Sequence, residues 1–501
     1  ERVIDFMTKY FRYQLATLPS TPLGNWTFWA EFRACDNLQA VYWLYNITGE
    51  AFLLDLGNLL HEQSFNFIDM FLNRDHLTRF NSIHCVNLAQ GLKEPVIYYQ
   101  QKPEKSYIDA VKKGLADIRK YNGQPQGMFG GDEGLHGNNP TQGSELCSAV
   151  ELMYSLEKMM EITGDLTFTD HLERIAFNAL PTQITDDFMN KQYFQQANQI
   201  MITRHPHNFY EDAHHAATDI IYGTRTGYPC CFSNMHQAWP KFTQSLWYAT
   251  PDKGIAALAY SPSEVVAQVG DGHEISIIED TYYPMDDKIR FTIRLSNSVK
   301  EVTFPFHLRI PEWCKGAAVT INGITDSING GSDMAILHRP WKDGDQVILS
   351  LPMKVESSRW YENSVAIERG PLVYALKMEE RWMKKEFVGK ERNQFGFDYY
   401  EVSSPTKWNY GILSATIEDL EKNSQVTIDP DKQSCDYFWN VRNAPIQIKL
   451  KAKEMTSWRI YNEMTGPLPF STSKSEQPEE EIVLVPYGCT TLRISEFPVV
   501  R

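Results

Sequence analysis

Apolar residues recur every three or four positions along the first half of the chain and every two along the second. The stretch DNLQAVYWLYNITGEAFLLDLGNLLHEQ, from Asp36, reads as two amphipathic helices broken at Thr48 and Gly49. The stretch SAVELMYSLEKMMEITGDLTFTDHLERIAFNALP, from Ser148, repeats the design. ITGEAFLLDLGNLL from Ile47 and ITGDLTFTDHLERI from Ile162 align without a gap, and a weaker copy, SYIDAVKKGLADI, starts at Ser106. Each copy is read as a helix, a Gly-containing turn and a second helix. Such hairpins bury their apolar faces by stacking on their neighbours, in an open solenoid or in a closed (α/α) toroid with one central cleft.

After about residue 250 the period shortens. KIRFTIRL, VTFPFHLRI, QVILSLPM and SVAIERGPLVYAL alternate or run apolar over strand lengths, and turn-rich segments such as INGITDSINGGSD and WKDGDQ punctuate them. This is the pattern of β-sandwiches. The expected organisation is a helical unit over residues 1–245 and one β-sandwich over 250–355. A second sandwich follows over 356–501, with a long polar excursion at 378–430.

Composition narrows the partners. The net charge is −15 and basic runs are short, which argues against nucleic acid and against anionic membranes. No stretch approaches the roughly eighteen apolar residues of a membrane span. Aromatic content is 13%, with 12 Trp and 25 Tyr. Such rings stack on the apolar faces of sugars, though they also fill large cores.

Eight cysteines in 501 residues form no disulfide framework. Cys230 and Cys231 are adjacent, so their Cα atoms stand about 3.8 Å apart, short of the roughly 4.4 Å at which disulfides begin. As a pair they are free thiols or metal ligands. Earlier, GDEGLHGNNPTQGSELCSAVE places Glu145 and Cys147 at the start of a strong helix, whose positive end favours anionic side chains. Together, Glu145, Cys147, Cys230 and Cys231 make a ligand set of Zn²⁺ type, one carboxylate and three thiolates. The ordinary alternative is that these cysteines are small core residues. Cys35, Cys85, Cys314, Cys435 and Cys489 are read as structural.

Other polar residues have two readings each. His84 is a core histidine or a site residue. His236 and Gln237 reach sugar hydroxyls or cap a helix. Asp36, near Trp29 and Glu31, recognises hydroxyls or serves as an N-cap. HHAAT at 214–218 is read as a solvated loop.

GDEGLHGNNPTQGSELCSAVE and CCFSNMHQAWPKF, taken with NSIHCVNLAQGLKEP, HLRIPEWCKGAAVTINGI, RPWKDGDQVILSLPM, ERGPLVYAL and VPYGCTTLRISEFP, resemble glycoside hydrolase family 127, the β-L-arabinofuranosidase-like family. The resemblance runs in order along nearly the whole chain. It implies an (α/α)₆ barrel followed by β-sandwich domains, and a retaining glycosidase whose nucleophile is a zinc-bound cysteine. Carried over by motif, Glu145, Cys147, Cys230 and Cys231 hold the zinc and Cys230 attacks. Glu133 matches the general acid/base, with Asp132 beside it as the alternative. His84 matches a pocket histidine and Tyr193, in KQYFQQANQ, a pocket tyrosine. Two departures stand out: Phe232 follows the cysteine pair where the family commonly has Pro, and the segment from Glu133 to Glu145 is short.

The chemistry suits these residue types. A retaining enzyme needs a nucleophile on one face of the anomeric carbon and an acid/base on the other. A thiol of pKa about 8.5 becomes a dependable thiolate when metal-bound. A negative Asp132 is expected to help raise the Glu133 pKa. The expected substrate is an oligosaccharide or glycan of plant cell walls carrying terminal arabinofuranosyl or related pentose units. Two other readings stay open on the residues alone: a toroid hydrolase or polysaccharide lyase with structural cysteines, and a non-catalytic carbohydrate-binding protein. The β modules have three open uses, namely packing on the barrel, binding glycan, or joining two copies in a homodimer. Glycan foraging favours a periplasmic or secreted location; reactive thiols favour the cytoplasm.

Overall fold

The computed structural model describes the chain except residues 1, 26, 79–82, 208, 210–214, 297–298 and 328–332. Two of the three sequence repeats are helical hairpins. Ala34–Thr48 turns through Gly49 into Phe52–Gln63, and Leu146–Thr163 turns through Gly164 into Thr167–Arg174. Both glycines sit at φ 68°, the left-handed cap conformation in which a side chain is strained. The third copy is different. Lys105–Tyr121 is one uninterrupted helix, and Gly114 lies inside it so that the helix can approach the ring of Phe71. Its glycine is there for packing, which a turn-based reading of the repeat does not distinguish.

The helices Ala34–Thr48, Cys85–Gly91, Leu146–Thr163 and Cys230–Gln244 carry the residues of interest. Cys85–Gly91 and Cys230–Gln244 both pack along Leu146–Thr163, most of whose side chains are buried. The helical half also contains strands of two residues each, which have too few positions to show a period. Gly131–Asp132, Gly134–Leu135, Ser144–Glu145 and Phe194–Gln195 form one small sheet. Lys191–Gln192 and Tyr222–Gly223 enter another.

From Trp247 onward the chain is mostly strands. A six-stranded sheet, from Ser263–Val269 to Ile324–Ser327, faces a four-stranded one built on Val302–Ile310. Phe291 of the first and Phe306 of the second meet with ring centroids 5.2 Å apart, and the strand Lys288–Leu295 alternates buried and open positions as a half-buried strand must. Later strands form an eight-stranded sheet from Val355–Arg359 to Val499–Val500. The polar excursion has strands of its own: Arg381–Glu386 pairs with Asp398–Ser403, which pairs in turn with Tyr222–Gly223 of the helical half.

The two halves are joined by buried polar groups. Arg309 is fully buried and spans Asp170 and Glu173. Arg174 makes a bidentate pair with Glu368. Arg493–Ile494 pairs with Asn198–Gln199, and the Asn198 side chain accepts from the backbone N–H groups of Ser495 and Glu496 at 2.9 and 3.0 Å. Among the described residues no helix is long and apolar enough to cross a membrane.

Candidate active site

Two helix N-termini bring the cysteines together. Glu145 is the N-cap residue of Leu146–Thr163 and Cys147 lies in its first turn; the other helix starts on Cys230 and Cys231, after Pro229. Pairing of Ser144–Glu145 with Phe194–Gln195 holds Glu145 next to the segment that carries Tyr193. The ligand atoms of Glu145, Cys147, Cys230 and Cys231 all lie within 4.8 Å of one another. The sulfurs of Cys147 and Cys231 are 2.9 Å apart, and the Cys147 N–H donates to Cys231 Sγ at 3.3 Å. The Cys231 thiol donates to Glu145 Oε1 and the Cys85 thiol to Oε2, each at 3.5 Å. Of the four, only Cys230 is exposed.

Charge in this cluster is scarce. Burial pushes the Glu145 carboxyl and the Cys147 and Cys231 thiols well above their ordinary pKa values. Hydrogen bonds from the Cys147 and Cys231 thiols, helped by the buried Lys191 ammonium, pull Cys230 down to about 3. Four acidic groups within so small a span, three of them too buried to ionise unaided, fit a divalent cation. Three sulfurs and one oxygen are the donors that tetrahedral Zn²⁺ prefers.

A second group adjoins the first. Glu133 holds φ 77°, an uncommon backbone for a residue with a side chain. Its Oε1 accepts from the Tyr193 hydroxyl at 2.5 Å, and its Oε2 is 3.1 Å from His84 Nε2. His215 Nε2 stands 3.9 Å from Oε1, while its Nδ1 is bonded to buried Asp219. Carboxylate oxygens of Glu133 and Glu145, with a ring nitrogen of His84, lie within 4.8 Å of one another, so the two groups form one site. Burial pushes the Glu133 pKa up, but hydrogen bonds from His84 and Tyr193, with the charges of His84 and His215, bring it below the ordinary carboxylate value. The expected elevation by Asp132 is therefore corrected: Asp132 is buried in a pair with His136.

Other sequence candidates fall in different places. His84 is the N-cap of Cys85–Gly91, where Nδ1 accepts from the Asn87 N–H at 3.2 Å and leaves Nε2 for Glu133. Asp36 is not an N-cap; Arg33 holds that position, and Asp36 pairs with Lys93 at 2.9 Å. Asp36 and Gln237 line a separate hollow with Glu151 and Lys241. The His236 ring turns back to the Phe232 carbonyl of its own helix at 2.7 Å.

The sequence of the helical half matches the family described as "Beta-L-arabinofuranosidase, GH127 catalytic domain" over residues 1–244, and that family's middle domain over 254–353. The chain belongs to glycoside hydrolase family 127 (GH127). A non-reducing end beta-L-arabinofuranosidase of Bifidobacterium longum is 26% identical over 249 residues, which are 48% of this chain and 36% of that protein. The chain thus aligns with only about a third of that curated relative. A crystal structure of a GH127 beta-L-arabinofuranosidase from Geobacillus stearothermophilus superposes with TM-score 0.64 at 18% identity, over 93% of this chain and 72% of that one. A GH127 beta-arabinofuranosidase gives TM-score 0.63 at 17% identity, over 92% and 68%. At these identities the likeness is one of fold.

In this GH127 chain, four site residues escape a reading of the sequence. His214 lies outside the described residues, but His215 of the same HHAAT run is fully buried and faces Glu133, so the solvated-loop reading is corrected there. Its partner Asp219 follows four residues later, the one local signal that was present. Lys191, buried with its ammonium 4.8 Å from the Tyr193 ring centroid, looks in sequence like any surface lysine. Tyr228, whose ring packs 5.0 Å from that of His215, lies two residues before the cysteine pair and carries no mark of its own in the sequence.

Proposed function

We propose that this chain is a retaining glycoside hydrolase that releases terminal β-L-arabinofuranosyl or related pentose units from plant cell wall glycans, with Cys230 as nucleophile and Glu133 as acid/base. The observation that carries the reading is the adjacency of an exposed Cys230 to a buried Glu–Cys–Cys set, whose Glu145 in turn adjoins Glu133 with its three partners. Glu145, Cys147, Cys230 and Cys231 would hold Zn²⁺, which supplies positive charge that keeps sulfur as thiolate at neutral pH. Residues 1–245 act as the catalytic unit, read as an (α/α)₆ barrel, with β units over 250–355 and 356–501. A plant cell wall substrate favours a periplasmic or secreted location.

The chain's own groups divide the reaction. Cys230 Sγ forms a bond to the anomeric carbon as the glycosidic oxygen departs, and Glu133, in its protonated form, gives its carboxyl proton to that oxygen. In the second step Glu133, held as carboxylate by His84 and Tyr193, takes a proton from water, and water displaces the sulfur. His215, kept in orientation by Asp219, faces the same carboxylate and limits how far it can turn.

The test is metal content together with turnover of an aryl β-L-arabinofuranoside. Purified protein is expected to contain about one zinc per chain, in line with a closed four-ligand site. Cys230→Ser is expected to reduce turnover by at least about 10³-fold, the scale of removing a nucleophile. Protein free of stoichiometric metal, or a serine variant that still turns over, overturns the reading.

A further inference from the structure

We infer that Lys191 belongs to the metal centre as a fixed positive charge, which offsets the anionic excess of the four ligands and strengthens their hold on zinc. The inference rests on the zinc reading of the thiol cluster and adds to it a group that acts through the ligands without touching the metal.

Lys191 is fully buried. A buried ammonium normally has a carboxylate partner, and among the described residues Lys191 has none. Its Nζ donates to the Thr226 carbonyl and lies 4.8 Å from the centroid of the Tyr193 ring. Both neighbours lead straight to the cluster. Thr226 precedes the cysteine pair by a single turn of chain, and the Tyr193 carbonyl accepts from the Leu146 N–H, between Glu145 and Cys147. The ammonium is also held from outside the cluster. Lys191 pairs with Gly223 across two short strands. The peptide unit that offers the Thr226 carbonyl gives its N–H, that of Gly227, to Thr218 Oγ1 at 2.8 Å, which fixes the acceptor in place.

The ligands are what compensate this charge. Burial pushes the Lys191 pKa down, and the charges that oppose the fall are those of Cys231, Cys230, Cys147 and Glu145. Around one divalent ion, four singly anionic ligands leave two negative charges in excess, and three of the four ligands are buried. Zinc enters as these groups give up the protons that burial otherwise makes them keep, so loading takes the cluster from near neutral to net negative. A cation fixed nearby stabilises the loaded cluster more than the empty one, and in a buried setting it does so without contact.

The test measures Zn²⁺ and Co²⁺ affinity by competition with a chromogenic chelator, for the full chain and for Lys191→Met and Lys191→Gln. The Co²⁺ absorption spectrum reports the ligand set. Wild type is expected to hold either metal. Both variants are expected to bind at least about tenfold more weakly, with the cobalt spectrum unchanged in shape. Gln keeps an N–H for the Thr226 carbonyl, so a purely structural tie predicts recovery in Lys191→Gln, whereas the field of a charge predicts loss in both. Lys191→Gln decides the matter if Lys191→Met fails to fold. Variants that match wild type, recovery in Lys191→Gln, or loss of affinity together with the wild-type spectrum overturns the inference and leaves the zinc reading standing. Wild type that takes up neither metal overturns the zinc reading, and this inference with it.

Discussion

Tyr193 links the two halves of the chemistry, because its hydroxyl reaches Glu133 while its backbone carbonyl accepts from Leu146 beside Glu145. Tyr193→Phe removes one of the hydrogen bonds that hold Glu133 below its ordinary pKa. The basic limb of kcat/KM, set by the group that must hold a proton in the first step, is therefore expected to move to higher pH, by up to about one unit, with the limb on the acid side in place. A limb that stays put means that the hydroxyl does not tune this carboxylate. At this scale the sequence was most informative where residue type is rare. Three thiols and a carboxylate spaced as E-x-C and C-C stand out because few other chemistries use them. Lys191 and His215 carry no such mark, since only burial, set by partners distant in the chain, separates them from surface residues.

Secondary-structure elements reach the site through close backbone approaches as much as through caps. Gly227, at φ 59°, passes the Tyr193 ring so closely that an added Cβ would lie 2.3 Å from Cγ. Gly227→Ala thus meets a backbone that disfavours it and a ring that must move, and the hydrogen bond to Glu133 moves with the ring. Turnover is expected to fall by about 10²-fold, the scale of a misplaced catalytic group. The zinc content is expected to persist, and loss of metal in parallel would instead indicate general collapse of the cluster. The helices were legible because their apolar period extends over several turns. The two-residue strands around Glu133 and Tyr193 were not, because their conformation is imposed by pairing across the chain rather than by local pattern.

Over the whole molecule, buried acids set the response to pH. Burial pushes the Glu496 carboxyl up to about 8. In the unfolded chain it would titrate near about 4.3, so between those values the folded state holds a proton that the unfolded state releases. Stability is therefore expected to fall as pH rises through that window and to level off above it. Glu496→Gln, which carries no titrating proton, is expected to match wild type at pH near about 5 and to melt higher than wild type at about pH 8, by a few degrees for each kcal/mol recovered. Equal slopes of Tm against pH for the two proteins would remove Glu496 as the cause. The succession of helical and strand-rich regions could be read in advance, since each has its own period. The joints could not: Arg309 in HLRIPEW and Asn198 in QANQ look unremarkable until the elements that they bridge are brought together.

The bond network of Asn198 has a consequence for biosynthesis. The segment carrying Tyr193 is tied at Asn198 to residues nearly 300 positions later, through the Ser495 and Glu496 amides and the Glu496 carbonyl. A ribosome moving at about 5–20 residues per second needs some fifteen seconds or more to supply that anchor. During that interval the helices can assemble, while the pocket wall waits for its last support. The nascent chain thus carries its thiols for many seconds before the wall beside them is complete.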